Sequence, residues 1–228
     1  DCPTCVLIEP VLQQLASDGV PITVYTQDDP NFPASVPSIV DDRNLEISFR
    51  LQIETVPTLI CTSSRAETER VVGWDRTEWE RVTGAHQLGE QLPAFRPGCG
   101  SLNVAPGMPE KLAVRFGTVP IASRKIEIGP AEDDFEACFD RGWTDGLPVV
   151  PPTPERVVRM LQGTSRPPGE VLGKVPPNLA ECTVEKVAVN AVMAGCKPEY
   201  LPVVLAAVEA ALMDEFCMHG LLATTWFS

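Results

Sequence analysis

The sequence predicts a mixed α/β chain in two parts. An α/β domain covers residues 1–88 and a helix-rich α/β domain covers 131–228, joined by a Pro/Gly-rich linker at 89–130. Three observations predict it. The 228 residues are 44% apolar and 21% charged, enough to bury the cores of two domains of ordinary size. In the first part, helical stripes alternate with short β-branched runs. In the last part helical stripes dominate, set between proline-laden connections.

The first part begins with Cys2-Pro3-Thr4-Cys5, and Val6, Leu7, Val11, Leu12 and Leu15 then form a helical stripe. Pro10 falls inside that stripe and is expected to kink it, because it has no N–H to donate. Asp18-Gly19 ends the helix, and Ile22–Thr26 has the alternation of a strand. A polar, Pro-rich connection spans 28–42. A helical segment over Leu45–Leu51 leads to the apolar strand Val56–Ile60, entered through Pro57, and Arg70–Trp74 reads as a further strand. Asp75 has the character of an N-cap, with Glu78 completing a capping box, and its helix runs through Trp79 to about Val82.

The linker holds one helical piece, Met108–Phe116, and the stretch Pro97-Gly98-Cys99-Gly100-Ser101. In the last part, 132–140 reads as an amphipathic helix. Thr153 and Pro154 are the N-cap and first residue of the next helix. After a Gly/Pro-rich loop, helices at Thr183–Ala194 and Pro198–Met213 form a hairpin, with Gly195 as C′ glycine and Cys196 at its tip. Cys138 and Cys182 have the setting of small core residues, and Trp74, Trp79 and Trp143 that of packing residues.

The net charge of −13, with no cluster of Lys or Arg, argues against nucleic acid and anionic membrane as partners. The most apolar run, Leu201–Met213, is too short to span a bilayer and carries Glu209 in its middle. Eight cysteines with one close pair do not make a disulfide-stapled scaffold. A reducing, cytoplasmic setting is expected, with most thiols free.

Chemistry concentrates in the cysteines. A Cys-x-x-Cys pair is a redox dithiol or half of a zinc site. Zinc needs a second pair, and Cys61 and His86 stand alone in this half, so no metal and no cofactor is expected. Cys99, flanked by Gly98 and Gly100, lacks neighbouring side chains and is open to close approach. On composition alone an incidental linker cysteine is the better account of it.

The order Cys-x-x-Cys, kinked helix, strand, helix, Val56-Pro57-Thr58, "VVGW" strand and acidic-capped helix resembles the thioredoxin family over residues 1 to about 88. The resemblance implies Cys2 as attacking thiol, Cys5 as resolving thiol and Pro57 as the cis-proline beside them. A helix N-terminus would favour the Cys2 thiolate. It also implies a strand before the cysteines, so the natural chain is expected to begin ahead of Asp1.

"RPGCGS", "FDRGWTDGLPVVPPTPERV", "GEVLGKVPPNL" and "TVEKVAVNAVMAGCKPEYLPVVLAAVEA" are similar to the UGSC group of proteins and selenoproteins over about 93–225. The resemblance implies a reactive Cys99, at the position where members carry selenocysteine, with Gly98, Gly100 and Ser101 around a substrate. Leu102 departs from the pattern by standing where a further cysteine is expected, which leaves Cys99 dependent on Cys2 or another thiol. Members run past this chain's last residue, so the second domain is expected to be partial. Cys196, Asn190 and Asp145 are further candidates for substrate contact. A polar turn accounts equally well for Asp145, and a helix-buried amide for Asn190.

The expected function is a thiol-dependent redox enzyme in which the Cys2/Cys5 dithiol serves Cys99, acting on a small electrophilic or oxidised substrate. A thiol reductant of thioredoxin or glutathione type would regenerate it, and a homo-oligomer stays open. Two alternatives stand beside it: a soft-metal or organomercurial transfer protein, and a non-redox lyase or hydrolase in which the thioredoxin-like part is structural.

Overall fold

The computed structural model describes residues 2–64, 66–117 and 119–224. Asp1 and residues 225–228, where the expectations about the two chain ends fall, lie outside the described residues. The chain is mixed α/β and divides into two compact units, the first ending at Leu112 and the second beginning at Ala113.

In the first unit the expected kink is present. α1 (Pro3–Leu7) and α2 (Glu9–Ser17) are separated by Ile8, and Pro10 sits in the first turn of α2, where a missing N–H costs nothing. α2 buries Val11, Leu12 and Leu15 against Trp74, Trp79 and Leu88. The two indoles meet edge to face at 5.3 Å. β1 (Val24–Thr26) pairs in parallel with β2 (Ile39–Asp41), a strand that the proline-rich sequence around it conceals. α3 (Glu46–Arg50) leads to β3 (Thr55–Val56). Beyond Pro57, β4 (Thr58–Ser63) and β5 (Ala66–Val72) form an antiparallel hairpin. β6 (Trp74–Asp75) precedes α4 (Arg76–Thr83). The Asp75 carboxylate accepts from Glu78 N–H at 3.2 Å, but Glu78 turns to Arg81, so the capping box is only half made.

The segment expected to begin the linker is woven into this unit. β7 (Phe95–Arg96) pairs with β6, and β8 (Cys99–Gly100) pairs with β3. A proline-rich strip leaves carbonyls without a ladder partner, and two side chains collect them. Arg76 donates to the carbonyls of Leu88, Gly89 and Leu92, and the Trp74 indole donates to that of Pro93 at 2.7 Å. α5 (Met108–Phe116) follows a single 3₁₀ turn at Leu102–Val104, and the division between the units falls within it.

The second unit contains α6 (Asp134–Asp140), capped by Asp133, and α7 (Pro154–Leu161), capped by Thr153 with Pro154 at its first position. The loop before the helical hairpin conceals a β-hairpin, β9 (Val171–Val175) with β10 (Ala180–Thr183). α8 (Val184–Met193) and α9 (Leu201–Ala211) follow. Gly195 at φ 73° closes α8, and Cys196 N–H reaches back to the Ala191 carbonyl at 2.9 Å. α10 (Met218–Ala223) is the last element among the described residues. The core is the inner faces of α7, α8 and α9 with Cys182. Cys138 is buried as expected, whereas Trp143 is exposed at the turn after α6. Buried Glu185 receives the N–H groups of Ala122 and Ser123 at 2.9 and 2.8 Å. Glu209, the charge inside the apolar run of α9, pairs with Arg166 at 2.8 Å. Among the described residues no helix is long and apolar enough to cross a membrane.

Candidate functional site

Three of the eight cysteines come together in the first unit. Cys2 is the N-cap of α1, and its Sγ accepts the Cys5 N–H at 3.3 Å. That helical start is local in origin: Pro3 supplies the φ of a first helical residue and has no N–H to leave unpaired. Cys5 lies one turn in. Cys99 arrives from far along the chain, because β8 lies antiparallel to β3 with Cys99 opposite Val56 and Gly100 opposite Thr55. Cys99 and Cys2 thus meet at the same residue, for the Cys2 thiol in its protonated form donates to the Val56 carbonyl at 3.5 Å. The Val56–Pro57 peptide is cis, and the Pro57 carbonyl accepts from Gly73 N–H at 2.8 Å.

Glycine at 98 is a steric requirement. A Cβ there would lie 2.7 Å from the Val56 carbonyl oxygen and collide with the Thr55 methyl group. Any larger residue would hold β8 off β3 and carry Cys99 away from Cys2. Gly73, at φ 76°, faces the same segment, and a Cβ on it would meet Gly98 N at 3.0 Å. Gly100 has no such neighbour.

Ser101 is buried, and its hydroxyl is engaged inside the protein. It accepts from Gln27 Nε2 at 2.8 Å and from Asn103 N–H at 3.3 Å, and its own N–H bonds to the Glu54 carbonyl at 2.9 Å. This geometry gives Ser101 an anchoring part in the segment, not a face toward a substrate. Sequence reasoning passed over the residues around it. Gln27 Nε2 also donates to Ser48 Oγ at 2.8 Å, and Gln27 Oε1 accepts Leu102 N–H at 3.1 Å. Thr4, buried at the bottom of the x-x pair, donates to the Pro97 carbonyl at 2.8 Å. A polar residue among apolar ones was the available signal at Thr4; Gln27 left none.

The charge among the three thiols is unequal. Burial pushes Cys2 up, but hydrogen bonds from the Cys5 and Cys99 thiols and from the Cys5 and Thr4 N–H groups outweigh it and hold Cys2 below the ordinary thiol range. Burial, then the hydrogen bond to Cys2 and its negative charge, drive Cys5 far up. Cys99 is pushed up by its hydrogen bond to Cys2, by burial and by the same charge, against smaller opposing contributions from Thr4. Of the three thiols, Cys2 is therefore the one whose charged form is favoured.

This assignment predicts that Cys99→Ala raises the Cys2 pKa, the effect of losing one charge-assisted donor. Deprotonation followed by thiolate absorbance should then need more alkaline solution than in the wild type, whereas Cys99→Ser, which keeps a donor, should move less. An unchanged titration in Cys99→Ala would remove Cys99 from the hydrogen-bonded cluster.

The remaining candidates lie in the second unit. Asn190 and Cys196 line one apolar cavity of about 420 Å³, with Val175, Cys182, Val187 and Val208. Asn190 is exposed rather than helix-buried, its Nδ2 donating to the Lys186 carbonyl at 2.8 Å. Asp145 lies apart, in an exposed turn where its carboxylate faces Leu147 N–H at 3.4 Å. Among the described residues no group of three or more His, Cys, Asp or Glu side chains is arranged to hold a metal. No match to the chain was found among protein-family models, curated proteins or solved structures.

Proposed function

We propose that the chain is a thiol–disulfide redox enzyme whose first unit is thioredoxin-like, with Cys2, Cys5 and Cys99 as its working thiols and a small oxidised molecule as substrate. One observation carries this reading: the β3–β8 pairing sets Cys99 opposite Val56, whose carbonyl takes the Cys2 thiol, and Cys2 is the N-cap of a helix start. The resemblance to UGSC proteins places the substrate on Cys99 first. The charge on Cys2 favours the opposite order.

The Cys2 thiolate attacks a small disulfide RSSR, forming Cys2–S–S–R and releasing RS⁻. Loss of the thiolate removes the charge that held Cys99 protonated. The Cys99 thiol then displaces the second group as RSH and leaves a Cys2–Cys99 disulfide. Cys5 attacks Cys2 in turn, passing its proton to Cys99, which returns as a thiol while Cys2–Cys5 becomes the stored disulfide. Two equivalents of an external thiol reductant restore the starting state.

The test is to add less than one equivalent of oxidised glutathione to the reduced protein, quench with acid at intervals, and map linked peptides by mass spectrometry. Cys2–Cys99 should appear first and give way to Cys2–Cys5. A Cys99 that stays an alkylatable thiol throughout, while other cysteines oxidise, would sink the relay.

A further inference from the structure

The edge beside the Cys2 thiolate is already filled by the chain itself. A short strand next to a nucleophilic sulfur is a template on which an extended polypeptide can lay its backbone, and a client protein's disulfide would be presented that way. Here β3 offers such a template, and β8 occupies it. Thr55 and Val56 face Gly100 and Cys99 in antiparallel register, and Ser101 N–H continues the pairing to the Glu54 carbonyl. The occupant sits without a gap, because Gly98 brings its backbone to the limit of approach to Val56. It is pinned at both ends, by Thr4 on the Pro97 carbonyl and by Gln27 and Asn103 on Ser101 and the Ile53 carbonyl. It also carries a cysteine, Cys99, opposite Val56.

We infer that the Pro97–Ser101 segment is an internal client strand that excludes polypeptide disulfides from Cys2 and restricts the substrates of this site to small disulfides. The inference rests on the exchange reading above. Cys2 is half-buried rather than sealed, so a molecule with a few atoms on each sulfur reaches it. A polypeptide needs the backbone edge that β8 covers.

The test compares two probes on the pre-reduced full chain: hydroxyethyl disulfide as the small disulfide and insulin as the polypeptide one, with loss of the Cys2 thiol followed by acid quench and alkylation. The wild type should consume hydroxyethyl disulfide and react at least about 100-fold more slowly with insulin. Gln27→Ala and Asn103→Ala, which loosen the segment from outside the thiol cluster, should each raise the insulin rate about 10-fold. Circular dichroism confirms that each variant is folded, and either one suffices. Equal rates with the two probes in the wild type overturn the inference and leave the exchange reading intact. So does an insulin rate unmoved in folded variants whose 98–101 amides exchange faster. A wild type whose Cys2 reacts with neither probe overturns the exchange reading and this inference with it.

Discussion

Cys2→Ser is expected to slow exchange with a small disulfide by about 100-fold at pH 7, the largest functional effect of any single change in the first unit. The magnitude follows from where the charge sits. An ordinary thiol is only a few per cent thiolate at neutral pH, and Cys5 and Cys99 are both pushed above the ordinary range. Serine at position 2 removes the charge that raises them, so both fall back part of the way. Neither gains the N-cap hydrogen bonds that lower Cys2. The pH profile separates the cases. Because the thiolate is the reactive form, rate rises with pH through the pKa of the attacking group and then levels. In the wild type the midpoint of that rise should lie below that of an ordinary thiol. In Cys2→Ser it should continue into alkaline solution without levelling. Cys5→Ser should keep the wild-type profile for the first step and accumulate the Cys2–Cys99 disulfide. Stopped-flow measurement of the leaving thiol from pH 5 to 10 checks all three, and a Cys2→Ser variant within threefold of the wild type would contradict the assignment.

The parts of this site that could be read from sequence are those made by neighbours along the chain. The N-capping of α1 by Cys2, the break before Pro10 and the caps at Asp75 and Thr153 follow from residues within one helical turn of each other. Long-range pairing leaves no such mark. β2 and the hairpin of β9 and β10 lie in stretches whose prolines and glycines read as loop, yet they pair with strands that supply the missing ladder. The same is true of Cys99. Composition alone made it an incidental linker residue, and its place beside Cys2 depends on Gly98 fitting against Val56, a relation between two distant points that only the folded chain displays. Gln27 shows the limit most plainly. An amide in a polar run is unremarkable until Ser48, Ser101 and Leu102 are found around it.

Asp42→Ala is expected to destabilise the first unit by about 3 kcal/mol and to impair Cys2–Cys99 formation, although Asp42 touches no cysteine. Its carboxylate is fully buried and accepts from Ile47 N–H at 2.9 Å, Ser48 N–H at 2.8 Å and Ser48 Oγ at 2.5 Å. Those two amides start α3, where Leu45 takes the left-handed conformation and provides no side-chain cap. Alanine would leave them in an apolar setting without an acceptor, at about 1–3 kcal/mol for each orphaned group, partly recovered where water enters. The consequence travels by contact. Ser48 Oγ, held by Asp42, is the acceptor for Gln27 Nε2, and Gln27 in turn holds Ser101 and Leu102 at the end of the Cys99 segment. Asn at 42 keeps one acceptor oxygen and should cost about half as much. Urea unfolding followed by tryptophan fluorescence reads the stability, since Trp74 and Trp79 both lie in the core of this unit. Oxidised glutathione with peptide mapping reads the link. If the hydrogen-bonded chain from Asp42 to Ser101 positions Cys99, Asp42→Asn should lower the yield of Cys2–Cys99 in protein that is still folded, while the attack of Cys2 that releases the first thiol keeps its usual rate. A matching loss in the rate of that first step would mean that Asp42 acts on the whole unit and not on the reach of Cys99.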